Sequence, residues 1–297
     1  MSNPISVCIA CRNEADRLAD CLASVAWADQ VVVMDLESTD DSAAIARDHG
    51  ALVVSRAAVP IVEMVRNEIA GHATGDWIIV LDPDERLSPA LESELRRVAA
   101  RDDVDAVIIP RMNHDLGYPP SNPHERYEPQ LRMYRRSAVR WPTVPNALPI
   151  VPEERLYRVP ARDDLVMIHD RNRNVPEIVD RIHRIAELQA QSMLDRGQRF
   201  SARAMAGALG GRAYRQFVIG RAWRDGVPGM FRAAILVGFH FYVWVAFWQL
   251  SGARRTAEDD RYVRRLGLAM ESLRRAVVVG GLPRRVARRI AALVARR

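Results

Sequence analysis

Two carboxylates separated by a proline, Asp82-Pro83-Asp84, follow directly on the apolar run Trp77 to Leu81, and Glu85 comes next. A short apolar run of this kind reads as a buried strand, so the acids stand where a strand leaves a parallel sheet, the place where such sheets build their sites. Carboxylates one residue apart on a turn fixed by proline can converge on one hard divalent cation, Mg²⁺ or Mn²⁺. A site holding that ion by few carboxylates leaves positions open for phosphate oxygens. The partner implied is a diphosphate. An isolated D-x-D is more often a solvated acidic turn capping the next helix, here one beginning near Ser88. The polar residues at other strand ends decide between the two.

The run Ile5 to Ala10 ends in Arg12-Asn13-Glu14, and the run Gln30 to Met34 ends at Asp35. In a parallel sheet, Arg12, Asn13, Glu14, Asp35, Asp82 and Asp84 would face one crevice although they are far apart in sequence. Asp35 precedes a turn, where a carboxylate can hydrogen-bond a base edge or a ribose hydroxyl. Ser38, Thr39 and Asp40 are expected mainly to form that turn and cap the next helix.

The elements that would place these residues alternate. Leu18, Leu22 and Val25 recur at helical spacing after the first strand; Asp40-Asp41 open a helix through Ile45 that stops at Gly50, where a positive φ costs little. Leu52 to Val54 read as a third strand, Val62 to Ala70 as a helix, Trp77 to Leu81 as the fourth strand, Leu91 to Val98 as a helix and Val104 to Ile109 as a fifth strand. A βαβ series with short connections predicts an α/β fold of parallel strands with right-handed crossovers. Past Pro110, the prolines at Tyr118-Pro119-Pro120, Asn122-Pro123, Trp141-Pro142, Val144-Pro145 and Leu148-Pro149 predict irregular or edge-strand segments, long loops of the kind that cover a site. Helical spacing returns at Ile178, Ile182, Ile185 and Leu188.

Of the 297 residues 48% are hydrophobic, enough for a sizeable core. All 43 basic side chains are arginine; 13 of them lie in 254–297 with 4 acids, a local charge of +9, which leaves 30 basic and 33 acidic residues before the tail. The three cysteines, Cys8, Cys11 and Cys21, are odd in number and crowd the start, which argues against a disulfide framework. Cys8-Ile-Ala-Cys11 has no second cysteine pair to complete a metal site. Met1 to Pro4 runs straight into a strand, so no secretory leader and a reducing cytoplasm are expected.

In order and separation, several segments together resemble the family 2 glycosyltransferases, whose fold is the nucleotide-diphospho-sugar transferase fold called GT-A. They are Val7-Cys8-Ile9-Ala10-Cys11-Arg12-Asn13-Glu14, Val33-Met34-Asp35-Leu36-Glu37-Ser38-Thr39-Asp40, Arg66-Asn67, and Gly75-Asp76-Trp77-Ile78 leading to Asp82-Pro83-Asp84-Glu85. The second half is similar to the lipopolysaccharide core glucosyltransferase-like branch through Gln130-Leu131-Arg132-Met133-Tyr134-Arg135, Val139-Arg140-Trp141 and Ile168-His169. The resemblance implies nucleotide contacts from Glu14 and Asp35, a phosphate contact from Arg66, a divalent cation held by Asp84 with Asp82 nearby, and a metal or diphosphate contact from His169. Arg12, Asn13, Asp82, Gln130 and Arg132 complete the implied substrate-binding set. It also implies inverting transfer from a nucleotide-diphosphate donor, a UDP-sugar, to a lipid-linked or membrane-associated saccharide, as in cell-envelope polysaccharide synthesis.

One segment departs from the family. Where its members commonly have V-H-E, with a carboxylate suited to deprotonating the acceptor hydroxyl, this chain has Val144-Pro145-Asn146, and asparagine cannot serve as that base. Glu125, Glu128, Glu153 or Glu154 would have to substitute, or the acceptor is unusual, or activity is lost. Transfer to polyprenyl phosphate, which needs no hydroxyl deprotonation, and a catalytically silent sugar-nucleotide-binding or scaffold subunit are the competing functions.

Residues 1–212 are expected to form the transferase domain and 213–297 a region of hydrophobic and basic amphipathic helices. Ala233 to Leu250 carries only His240 and Gln249 as strongly polar side chains and is near the minimum length for a span. Beyond it Val263, Leu266, Met270, Leu273 and Val277 share a helical face from which Arg261, Arg264, Arg265, Arg274 and Arg275 are excluded. A basic amphipathic helix of this type can lie on anionic lipid, which predicts peripheral or monotopic attachment to the cytoplasmic face of the inner or plasma membrane. A buried core helix followed by a solvated one is the alternative. The apolar stripe in the tail argues against a surface that tracks nucleic-acid phosphates.

Overall fold

The computed structural model describes residues 3–122, 126–142 and 149–279. The alternation expected in the first hundred residues is present: β1 (Ile5–Cys11), α1 (Ala15–Ala23), β2 (Gln30–Asp35), α2 (Ser42–Asp48), β3 (Leu52–Ser55), a 3-10 turn (Val62–Met64) continuing into α3 (Arg66–Gly71), and β4 (Trp77–Leu81). A short β5 (Glu85–Leu87), α4 (Pro89–Ala99), β6 (Ala106–Asp115), β7 (Glu128–Arg135), β8 (Leu156–Arg158) and β9 (Met167–Asn172) follow. These nine strands form one sheet in the order β3-β2-β1-β4-β7-β6-β9-β5, with β8 also paired to β6.

The parallel expectation holds for β3, β2, β1 and β4 and is interrupted by β7, beyond which β6 again pairs parallel with β8 and β9. β7 stands next to β4 and runs antiparallel to it, Ile79 facing Met133. The strand expected fifth, β6, is therefore one place further out and antiparallel to β7, and it reaches Asp115 rather than ending near Pro110. Prolines had marked this stretch as irregular, yet Pro110 and Pro129 face each other across the ladder. Pro110 also falls between the segment of β6 that pairs β8, ending at Ile108, and the segment that pairs β9, starting at Arg111. A strand accepts proline at such an interruption.

Two layers of side chains cover the sheet. Ile5, Val7 and Ile9 of β1 point to the side packed by Leu18 and Leu22 of α1 and by Leu91, Leu95 and Val98 of α4. Cys8 of the same strand, with Met34, Ile78 and Tyr134, points to the opposite side, where Val65, Ile69 and Trp141 pack. This is the period-2 alternation of a strand buried on both faces. Gly75 admits β4 beside β1: a Cβ there would lie 2.7 Å from the Ser6 nitrogen and 2.8 Å from the Pro4 carbonyl oxygen.

Helices α5 (Val175–Asp195), α6 (Ala202–Ala213), α7 (Gly226–Leu250) and α8 (Ala257–Val279) make up the rest, with a π-helical turn at Tyr214–Ile219 and a 3-10 turn at Ala222–Asp225. Two compact units result. The first extends through Glu177 and includes Arg224–Gly229; the second comprises Ile178–Trp223 and the chain from Met230 onward. Of the basic tail's expected stripe, Val263, Leu266 and Met270 are exposed on α8. The side chains of Leu273, Arg274, Arg275 and Val277 lie outside the described residues.

Candidate functional site

β4 delivers Asp82 to the edge of the sheet, and the next three residues turn back at once: the Glu85 amide donates to the Asp82 carbonyl at 2.9 Å. The buried Glu85 side chain closes the turn from inside by accepting the Asp82 amide proton at 3.0 Å. β5 then pairs antiparallel with β9, setting Glu85 opposite His169, and the Asp170 amide donates to the Asp84 carbonyl. The turn does not cap α4. Its N-cap is Ser88, while Asp82 and Asp84 are engaged by side chains from two other strands, Arg132 of β7 and His169 of β9.

The result at Asp84 is a pair of facing acceptors. Asn113 donates its amide to Glu128 Oε2 at 3.0 Å, which leaves its Oδ1 to accept from His169 Nδ1 at 2.6 Å. With the ring proton on Nδ1, the His169 Nε2 lone pair would face Asp84 Oδ2, 3.2 Å away. Such a contact requires a proton or a cation between the two. A ligating histidine held through its other nitrogen by a neighbouring side chain is the arrangement that fixes a metal's ligand in place. Among the described residues no group of three or more His, Cys, Asp and Glu side chains gathers to hold an ion. Two protein ligands with the remaining positions left to phosphate oxygens and water fit a magnesium- or manganese-type site.

Asp82 belongs to a separate charge cluster. The buried Arg132 shares one guanidinium nitrogen between Asp82 Oδ2, at 2.7 Å, and Glu85 Oε1, at 2.5 Å, and Arg111 donates to the same Glu85 oxygen at 3.3 Å. Burial alone would raise the Asp82 pKa, but Arg132 and Arg66 outweigh it and hold the carboxyl below its ordinary value. Glu85, wholly buried beside Asp82, is raised by burial despite Arg132. Arg132 thus reaches the site as the support of two carboxylates.

A cleft of about 370 Å³ opens over this cluster, lined by Arg66, Asp82, Glu128, Gln130, Arg132 and Trp141 among others. Arg66, the first residue of α3, lays its guanidinium 4.3 Å above the Trp141 ring. Burial, reinforced by Arg132, lowers its pKa, so its charge is held at a cost that a bound anion would relieve. Glu128 accepts from Arg111 at 2.6 Å and from Asn113. Burial works to raise its pKa, and those two hydrogen bonds bring it below the ordinary carboxylate value.

The first two strand ends are latched to each other. Asn13, in the left-handed region with φ 56°, accepts from the Thr39 amide at 2.7 Å and donates its own amide to Ser38 Oγ. Asp40 accepts from the Ala15 amide at 3.0 Å and from the Ser42 hydroxyl, and the Glu14 amide donates to Ser42 Oγ. Ser38, Thr39 and Asp40 therefore join two loops more than they cap α2, whose N-cap is Asp41. Asp35 is buried, pairs with Cys11 across the β1–β2 ladder and accepts from the Ser38 amide. Arg12 is exposed.

Arg17 connects these loops to the acidic turn. Its guanidinium lies 3.5 Å from Asp84 Oδ2, 3.8 Å from Glu14 Oε2 and 2.6 Å from Glu177 Oε2. Burial raises Glu14 to about 7, the nearby Asp84 and Asp16 adding to it against the pull of Arg17. Glu14 and Asp84 are thus brought to one place, as Asp82, Arg66, Glu128, Gln130 and Arg132 are to the cleft. Glu153 is not brought there: it precedes β8, which pairs with the start of β6 at the end of the sheet away from Asp82, and it is 73% exposed in an ion pair with Arg158. Glu125 and Asn146 lie outside the described residues. Arg17, Arg111, Asn113 and Glu177 carried no motif; only the i,i+3 spacing of Glu14 and Arg17 could have signalled any of them.

Residues 6–164 match the family described as Glycosyl transferase family 2, and the chain belongs to that family. The curled, mixed sheet is accordingly the GT-A glycosyltransferase fold. The chain is 37% identical over 105 residues to an uncharacterized glycosyltransferase of Rickettsia felis, covering 35% of this chain and 37% of that one. Over 150 residues it is 31% identical to a lipopolysaccharide core biosynthesis glycosyltransferase of Rhizobium meliloti, covering 46% of this chain and 53% of the relative. These matches therefore span a third to a half of each relative's length. A solved mannosyltransferase of Pyrobaculum calidifontis, in complex with GDP-Man and Mn²⁺, aligns over 91% of this chain and 81% of its own with 16% identity and a TM-score of 0.45.

Proposed function

We propose that this glycosyltransferase moves a sugar with inversion from a UDP-sugar to a saccharide carried on a lipid, using Mg²⁺ or Mn²⁺. The observation that carries the reading is the approach of Asp84 Oδ2 to His169 Nε2, at 3.2 Å, beside the cleft. Asp84 and His169 would hold a divalent cation, which would supply positive charge against the leaving diphosphate. Arg66, stacked on Trp141 and lining the cleft, is placed to bind a phosphate oxygen. Asp35 and Glu14 take the nucleoside, and Gln130, from the cleft lining, and the exposed Arg12 make sugar or nucleotide contacts. The acceptor oxygen bonds to the anomeric carbon while the bond from that carbon to the diphosphate oxygen breaks and its electron pair leaves with the diphosphate. The hydroxyl proton goes to a carboxylate, with Glu128 the described candidate in the cleft. In this reading the sheet unit performs transfer and the helices after residue 213 serve a cytoplasmic membrane face, where a lipid-borne acceptor is found.

One observation favours a second acceptor. Glu128 is held by Arg111 and Asn113 with its pKa lowered, which makes it a weak base. Polyprenyl phosphate, already an oxyanion, would need no base. A thermal-shift screen of nucleotide sugars with and without Mn²⁺ tests donor and cation together, since a ligand specific to the folded form raises its apparent stability. Asp84→Ala should keep the fold, lose the Mn²⁺-dependent part of the shift and lower transfer by about a hundredfold or more. A variant that retains the Mn²⁺-dependent shift and full turnover removes the cation from the reading.

A further inference from the structure

We infer that α7 lies in the plane of an anionic bilayer, one face in the lipid headgroup region and the other against its own unit, so that the chain is held to the membrane without crossing it. This deepens the reading above, in which the acceptor is borne on lipid, and rests on it only for that acceptor.

The helix has two unlike faces. Phe231, Ala234, Gly238, Phe241 and Val245 recur at spacings of three and four and are all exposed, so they form one continuous apolar stripe. Phe231 is 56% and Phe241 51% exposed, more than a large aromatic keeps in water without reason. On the other face Arg232, Val243 and Phe247 are buried, and Phe200 packs its ring against Trp244, Phe247 and Trp248 at centroid distances of 6.1 to 6.5 Å. A helix crossing alone would present lipid on every side; this one already has packed positions on one side, a charged residue, Arg232, among them. Length does not decide the matter, because the 25 residues of α7 would extend roughly 37 Å.

The segment leading into α7 continues the exposed apolar surface: Tyr214, Val218, Ile219 and Trp223 are between 55% and 62% exposed. Charge identifies the occupant. Residues 196–257 contain ten arginines and one acid, Asp225. An apolar stripe and exposed aromatics in a stretch with ten arginines and a single acid complement a surface of negative headgroups over hydrocarbon. A second copy of this chain would bring the same positive charge against itself.

The full-length protein, mixed with sealed phosphatidylcholine vesicles with and without phosphatidylglycerol, should sediment with the anionic vesicles at least about tenfold more than with the neutral ones. The double variant Phe231→Ser/Phe241→Ser should lose that partitioning by about tenfold or more while its urea unfolding stays cooperative. To fix the orientation, Arg221→Cys and Arg254→Cys, one beyond each end of α7, are labelled separately with an impermeant maleimide added outside; the three native cysteines are buried. Labelling of both positions is expected. Labelling of only one means a span and overturns the inference. Equal sedimentation with neutral vesicles overturns it too, as does a vesicle-free dimer that the double variant dissociates. None of these results depends on donor binding, so vesicle binding without nucleotide-sugar binding would sink the proposed transfer reaction and leave the membrane seat standing.

Discussion

Glu14, proposed above to contact the nucleoside, shows how a carboxylate acquires its pH response from its neighbours. Burial and the approach of Asp84 raise its pKa from an ordinary 4.5 to about 7, so the folded protein binds a proton there that the unfolded chain has already released. Stability at this residue is therefore greatest below about 4.5 and falls as pH rises toward 7. Glu85, raised by burial, acts in the same direction, whereas Asp82, lowered, adds stability that is lost only when pH drops through its folded value. Glu14→Gln should flatten the decline between pH 5 and pH 8 in urea-unfolding midpoints; an unchanged slope would mean that the carboxyl is solvated in the folded state. The acids themselves were legible in the sequence, because strand ends and a D-x-D announce them. Their partners were not. Arg111 and Asn113 lie in β6, and Arg17 and Glu177 in helices distant from each other in sequence, so only the fold tells which charge meets which.

Among the elements, the strands that sequence alone resolved are those whose apolar runs are short and bounded by turns, β1 to β4. The parallel order was over-extended because local pattern carries no information about which strand lies beside which. β7 enters between β4 and β6 by a non-local pairing, and its opening residues include Pro129, which demotes a strand when only the local sequence is considered. The join of β4 to β1, by contrast, depends on one local residue. Gly75→Ala would drive a Cβ to 2.7 Å from the Ser6 nitrogen and 2.8 Å from the Pro4 carbonyl, both backbone atoms that cannot swing aside. The expected cost is about 1–3 kcal/mol, as for overpacking in a core, read from the urea midpoint at constant m-value. Gly71→Ala, at the end of α3 with nothing within 4 Å of the added Cβ, is the matched control and should change stability by about 0.5 kcal/mol or less.

For the molecule as a whole, the division into two compact units has a thermodynamic consequence. The sheet unit has its own core on both faces of the sheet, and the cleft, Asp84, His169 and Arg66 all belong to it. The helical unit has buried side chains of its own, Phe247, Val243 and Ala190. Cores of this kind are expected to melt as separate cooperative blocks, and a ligand raises only the block that binds it. Donor nucleotide with Mn²⁺ at a hundredfold excess over its dissociation constant adds about 2.7 kcal/mol to the folded state of the sheet unit. For a domain of that size each kcal/mol moves the midpoint by roughly 2–4 °C, so the shift should be about 5–10 °C. Calorimetry of the full chain should then show two transitions, one moving upward with nucleotide and cation and one staying in place, and vesicles of anionic lipid should move the second and not the first. A single transition displaced whole by either ligand would mean that the two units unfold together, and with that the independence of transfer chemistry and membrane seating would be lost.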